Sequence, residues 1–214
     1  MLTVENGKCL EGSLSNLRIL YRLGVRAMTL TWNGANELGD GVMEHSGGGL
    51  TEFGRSVVAE MNHLGMMIDV SHISEKGFWE VLSLSGAPVM ASHSNAHRVA
   101  GHQRNLTDEQ IRALAGKGGV IGLNVYPAFL SDAGRAGLED CLGHIEHILA
   151  VGGEDCLGLG SDFDGFAPPM TENLAGPEGY INLFLLLEQK GFSPRLIDKI
   201  SHGNFLRFAK RILH

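Results

Sequence analysis

At 214 residues the chain can bury a substantial core, and a single domain over residues 1–214 is the expectation. A net charge of −7 argues against non-specific nucleic-acid binding, and no run approaches about 18 uninterrupted apolar residues, which argues against a membrane span. Three cysteines (Cys9, Cys141 and Cys156) with no CxxC spacing, and no basic stretch leading into a long apolar one at the start, disfavour a disulfide framework and a secretory signal; a cytoplasmic, reducing location is expected.

In chain order, strand and helix alternate six times. Residues 1–5 read as a strand, and a helix over about 13–23 carries Leu14, Leu17, Leu20 and Tyr21 at helical spacing. Strand 26–32 leads into a glycine-rich loop, 33–50. Helix 51–64, strand 66–72, helix 74–84 and strand 88–93 follow. A long polar connection through Arg104 and Asn105 reaches Thr107, which reads as the N-cap of helix 108–117, with Asp108 and Glu109 in the first turn. Strand 120–125, helix 138–151 and strand 156–161 come next. Helices at about 178–190 and 194–213 are split by Gly191, with Ser193 capping before Pro194. The alternation implies an α/β fold with a parallel sheet and right-handed crossovers. Six strands would suit an open sheet, but polar groups that end strand after strand suit the mouth of a TIM-barrel-like fold better.

Those strand ends hold the candidate chemistry. His72 ends the apolar run from Met66, and His93 ends the run from Pro88. A lone histidine there would be read as a core residue bonded to backbone; two on neighbouring strands, each beside a serine, favour metal ligation. Glu5 precedes the turn signal Asn6-Gly7. It is either a terminal surface glutamate or a carboxylate able to bridge metal ions. Asp162 is either an Asx-turn residue or a general base. Arg104 is a solvated loop arginine or a bidentate clamp for a substrate carboxylate, and Trp32 a core residue or a pocket wall. His144 and His147, three apart on a helix, are read as a solvated face. Two histidines and two carboxylates at matching strand ends make metal-assisted hydrolysis the leading reading. No GxSxG elbow, P-loop or GxGxxG after a strand is present, which lowers serine-hydrolase, nucleotide-hydrolase and Rossmann readings.

Taken together, Val4-Glu5-Asn6-Gly7, Leu30-Thr31-Trp32-Asn33, Ile68-Asp69-Val70-Ser71-His72, Ser92-His93-Ser94, Arg104-Asn105 and Gly160-Ser161-Asp162-Phe163-Asp164-Gly165 resemble the membrane (renal) dipeptidase family of zinc peptidases, in its bacterial branch. The resemblance covers nearly the whole chain. It implies a (β/α)₈ barrel with two zincs that cleaves dipeptides, including ones with a D-residue at the carboxyl end. It implies that Glu5 bridges the zincs, that His72 and His93 bind the second, that Asp162 handles the proton of the bridging water, and that Arg104 holds the substrate carboxylate, with Tyr126 near the pocket. Where the family usually has a histidine that contacts substrate, this chain has Trp32, which bears on specificity and rate rather than on class.

The family's first strand ends in His-x-Asp, and no His-x-Asp occurs here. The chain is thus expected to begin at the family's third strand, with about six of eight strand–helix units and at most one tightly held zinc. Unpaired edges at 1–5 and 156–161 lead to the expectation of a homo-oligomer, readable by sedimentation. The alternative is a catalytically inactive remnant that serves as a binding or assembly subunit.

Overall fold

The structure is a computed structural model and describes residues 1–213. Six strands carry the order β1 (Leu2–Glu5), β2 (Val25–Thr29), β3 (Met67–Asp69), β4 (Met90–Ala91), β5 (Val120–Asn124) and β6 (Leu157–Ser161), with strand order following chain order. The helices are α1 (Leu14–Arg22), α2 (Glu52–Leu64), α3 (Glu75–Leu84), α4 (Asp108–Gly116), α5 (Pro127–Leu130), α6 (Leu138–Gly152), α7 (Tyr180–Gln189), α8 (Pro194–Asp198) and α9 (Asn204–Ile212). Two compact units are delimited. One is Met1–Ala91 with the chain end from Phe208; the other is Ser92–Arg207.

In the first unit β1, β2, β3 and β4 pair in parallel, and α1, α2 and α3 follow one another along them. Its core is Leu17, Met28, Leu30, Val57, Met61, Ile68 and Phe78, all essentially without exposure. Local chemistry sets the helix limits. The Thr51 hydroxyl accepts from Gly54 N at 2.9 Å, and Gly65 closes α2 in the left-handed region at φ 69°. The Ser74 hydroxyl caps α3 in the same way. β1 pairs with β2, and Leu2 at its start is exposed.

The expected strands 66–72 and 88–93 end early, at Asp69 and Ala91. Asp69 Oδ1 accepts from Ser71 N at 3.0 Å, an Asx-type turn that takes the backbone out of the ladder, and His72 follows at φ 67°. Strand 26–32 likewise stops at Thr29, whose hydroxyl donates to Asp69 Oδ2 at 2.7 Å.

In the second unit β5 and β6 pair in parallel, and α4 packs on α6. Thr107 caps α4, as its sequence predicts, and the structure adds a reciprocal capping box with Gln110. The expected helix 194–213 is instead α8, a π turn over Lys199–Gly203, and α9; Asn204 at the restart donates to the carbonyls of Glu154 and Leu157.

The reading of His144 as solvated is corrected. It is fully buried, in a stripe with Cys141, Ile145 and Ile148 that follows helical spacing. Its Nδ1 accepts from Ala96 N and its Nε2 donates to Leu130 O, both at 3.1 Å. His147 instead meets Asp108 at 2.7 Å. Burial pushes the pKa of His144 down to about 4, opposed by the bond to Leu130. The folded form therefore takes up this proton less readily than the unfolded chain. Its contribution is complete above about pH 6.5 and is lost as pH falls toward about 4, a change of roughly 3 kcal/mol. Denaturant unfolding across that window is expected to show this loss, and His144→Gln, which cannot titrate, is expected to remove that part of the slope.

Candidate metal centre

Glu5, His72 and His93 all lie at or just beyond the carboxyl ends of strands, β1, β3 and β4. One ligand atom from each lies within 4.8 Å of the others, so the three form a group able to hold a metal ion. The turn after β1 places Asn6 at φ 75°, and the turn after β3 places His72 itself at φ 67°. Left-handed backbone at non-glycine residues is disfavoured and collects at functional sites.

Within the first unit, His72 Nε2 stands 3.2 Å from Glu5 Oε1. The other ring nitrogen, Nδ1, is 2.7 Å from Asn33 Oδ1. With Nδ1–H donating to Asn33, Nε2 presents a lone pair toward a carboxylate. That contact is attractive only with a proton or a cation between the two. Zinc bonds of about 2.0–2.1 Å at the tetrahedral angle set neighbouring ligands roughly 3.3 Å apart, so the pair has the spacing of two zinc ligands. The donor set, two imidazoles and a carboxylate, is that of a catalytic-type zinc site with three protein ligands. His72 is buried, whereas the Glu5 side chain is 49% exposed, which leaves the group reachable from solvent.

Trp32 lies beyond the end of β2 and is half exposed, which decides against core packing; its ring centroid is 6.1 Å from that of His72. It therefore flanks His72.

Within the second unit, Ser92 Oγ lies 2.7 Å from His93 Nδ1. The backbone at Ser92 packs so closely on β5 and β6 that a Cβ at Gly122 or Gly160 would collide with the Ser92 carbonyl, and Ser94 N donates to Gly122 O at 2.9 Å. These two glycines thus let the segment that carries His93 seat on the strands. Arg104 is buried rather than solvated. Its Nη2 donates to His93 O at 3.1 Å and its guanidinium stands 5.5 Å from the Phe129 ring centroid. Tyr126 caps α5 and packs on Phe129 and Phe166, with centroids 4.8 and 4.5 Å away. His102, 4.4 Å from Phe129, is held below the ordinary histidine range by burial and then by Arg104.

Asp162 follows β6 at φ 77°. Its carboxylate does not close a local turn. Asn124 Nδ2, from the end of β5, donates to its Oδ2 at 2.9 Å. Asn124 is wholly buried and locked by two bonds to Asn95 and by Tyr126 N, which donates to its Oδ1 at 2.7 Å. Asn33 and Asn124 carried no role in the sequence reading. Asn124 has the same signal as the histidines, a polar group at the end of an apolar strand.

The sequence matches the family described as membrane dipeptidase, peptidase family M19, over residues 1–213. An uncharacterised protein of Klebsiella pneumoniae, from the pqqA 5′ region, is 37% identical over 98% of this chain and 80% of its own length. An uncharacterised dipeptidase of Schizosaccharomyces pombe is also 37% identical over 98% of this chain, but this chain spans only 52% of it. The crystal structure of a metallopeptidase from Rhodobacter sphaeroides, liganded with a phosphinate mimic of the dipeptide L-Ala-D-Ala, superposes with a TM-score of 0.93 at 34% identity; 99% of this chain and 63% of that one are covered. The fold is the TIM-barrel-like fold of such peptidases, here with six strands among the described residues.

Proposed function

Because the chain belongs to the membrane dipeptidase family, we propose that it hydrolyses the peptide bond of dipeptides with metal-activated water, at one zinc held by Glu5, His72 and His93. The observation that carries this reading is the carboxylate oxygen of Glu5 set 3.2 Å from an imidazole nitrogen whose ring is already fixed on its other side. On this reading His93 binds through Nε2, its Nδ1 being engaged by Ser92. Zinc bound at such a centre lowers the pKa of water and polarises a carbonyl oxygen.

The remaining roles fall to the chain's own side chains. Asp162, oriented by Asn124, accepts the proton of the attacking water and passes it to the departing amine. Arg104 binds the substrate carboxylate, its guanidinium held by the His93 carbonyl and the Phe129 face. Trp32 and Tyr126 bound the substrate side chains. The mimic bound by the Rhodobacter sphaeroides enzyme supports dipeptides with a D-residue at the carboxyl end as the class to try first. The dipeptidase relatives favour an enzyme over an inactive assembly subunit. Self-association along the exposed outer edge of β1 belongs to the same reading.

The test is amino-acid release from L-Ala-D-Ala by the 214-residue chain with one equivalent of zinc. Turnover that disappears on chelation supports the proposal; no turnover by a folded, zinc-loaded protein contradicts it. No helix among the described residues is long and apolar enough to cross a membrane.

A further inference from the structure

Resting on the reading of His72 as a zinc ligand, we infer that Asn33 is a positioning residue that sets the tautomer of that histidine, and that residues 41–43 brace the two together. A neutral imidazole carries one N–H, and the acceptor that takes it decides which nitrogen keeps a lone pair. Asn33 Oδ1, 2.7 Å from His72 Nδ1, draws the proton to Nδ1 and directs the Nε2 lone pair to the Glu5 side. Asn33 lies 39 residues before His72, on a different strand end, so local sequence does not hold the pair.

The glycine-rich loop supplies the tie. Met43 N donates to Asn33 O at 2.9 Å, and the adjacent Val42 N donates to His72 O at 2.7 Å. Gly41 forms an antiparallel bridge with Ile73, and Ser74 N donates to Asp40 O at 3.0 Å. Consecutive residues thus bind the backbones of both partners of the Asn33–His72 contact. A Cβ at Gly41 would collide with the carbonyl oxygens of Trp32 and Asn33, so only glycine lets the brace sit this close. His72 needs such support, because its φ of 67° is a conformation that side-chain-bearing residues seldom hold unaided. The loop fixes a ligand atom before any metal arrives.

The experiment measures zinc affinity by competition with a chromophoric chelator, and reads the tautomer of His72 from its ring ¹⁵N shifts in metal-free Glu5→Ala protein, which lacks the carboxylate that competes for the proton, at about pH 8, where an ordinary histidine is neutral. Glu5→Ala with Asn33 intact is expected to show Nδ1–H. Asn33→Ala is expected to weaken zinc about 10–100-fold, the usual effect of losing a partner behind a ligand histidine, and, in the Glu5→Ala background, to move the proton toward Nε2. Asn33→Asp, which keeps the acceptor oxygen, is expected to retain wild-type affinity and Nδ1–H. Gly41→Ala is expected to follow Asn33→Ala. Nε2–H in Glu5→Ala with Asn33 intact overturns the inference by itself, even if the Asn33→Ala variant fails to fold. Wild-type affinity in Asn33→Ala, or a loss in Asn33→Asp equal to that in Asn33→Ala, also overturns it. A wild type that binds no zinc instead defeats the metal-centre reading, while the tautomer still decides the role of Asn33.

Discussion

His72→Ala is expected to release the zinc of this chain, and His93→Ala to do the same. Zinc held by four protein ligands is bound by about 10–16 kcal/mol, so each ligand accounts for about 2.5–4 kcal/mol, or roughly two to three powers of ten in affinity. A site with three protein ligands has less in reserve. The two histidines are also its buried members, whereas Glu5 is half exposed and water can partly replace it. Removing His72 strands the Asn33 oxygen and leaves Glu5 without its 3.2 Å neighbour. Elemental analysis after dialysis reads the result directly, with Glu5→Gln expected to fall between wild type and the alanine variants. Stoichiometric zinc in His72→Ala would remove that residue from the site.

Asp162→Asn is expected to keep its zinc and lose about 10²–10⁴-fold in turnover, the range that a general base supplies. The substitution is nearly isosteric. Its side-chain oxygen can still accept from Asn124 Nδ2, so the 2.9 Å contact and the turn after β6 survive. What disappears is the ability to take a proton on the other oxygen. Zinc content and melting temperature therefore serve as controls. Equal loss of metal and of turnover would mean that Asp162 holds the site together rather than moving a proton.

Much of this arrangement is legible in the chain, and the illegible parts share a cause. Apolar runs locate β1 to β6, and the Thr107 and Ser193 caps mark the starts of α4 and α8 as expected. The polar residues that end those runs, Glu5, His72 and His93, converge. Hydropathy, however, carries no information on φ. It extends strand 66–72 through His72, although the Asp69–Ser71 hydrogen bond has already turned the chain. It reads 194–213 as one helix, although a π turn over Lys199–Gly203 separates α8 from α9. A scale that counts imidazole as polar places His144 on the solvated face, while its spacing from Cys141 and Ile148 puts it in the buried stripe. Asn33 and Asn124 act through partners 39 and 38 residues away, a pairing that only the folded chain displays.

Whether Glu5, His72 and His93 together bind one zinc is read by zinc K-edge X-ray absorption on the loaded 214-residue chain. The expected spectrum is that of one zinc per chain with a shell of nitrogen and oxygen at about 2.0–2.1 Å, two imidazoles among them, and no sulfur. A sulfur shell near 2.3 Å, which would bring in a cysteine, or a single imidazole in place of two, would contradict it.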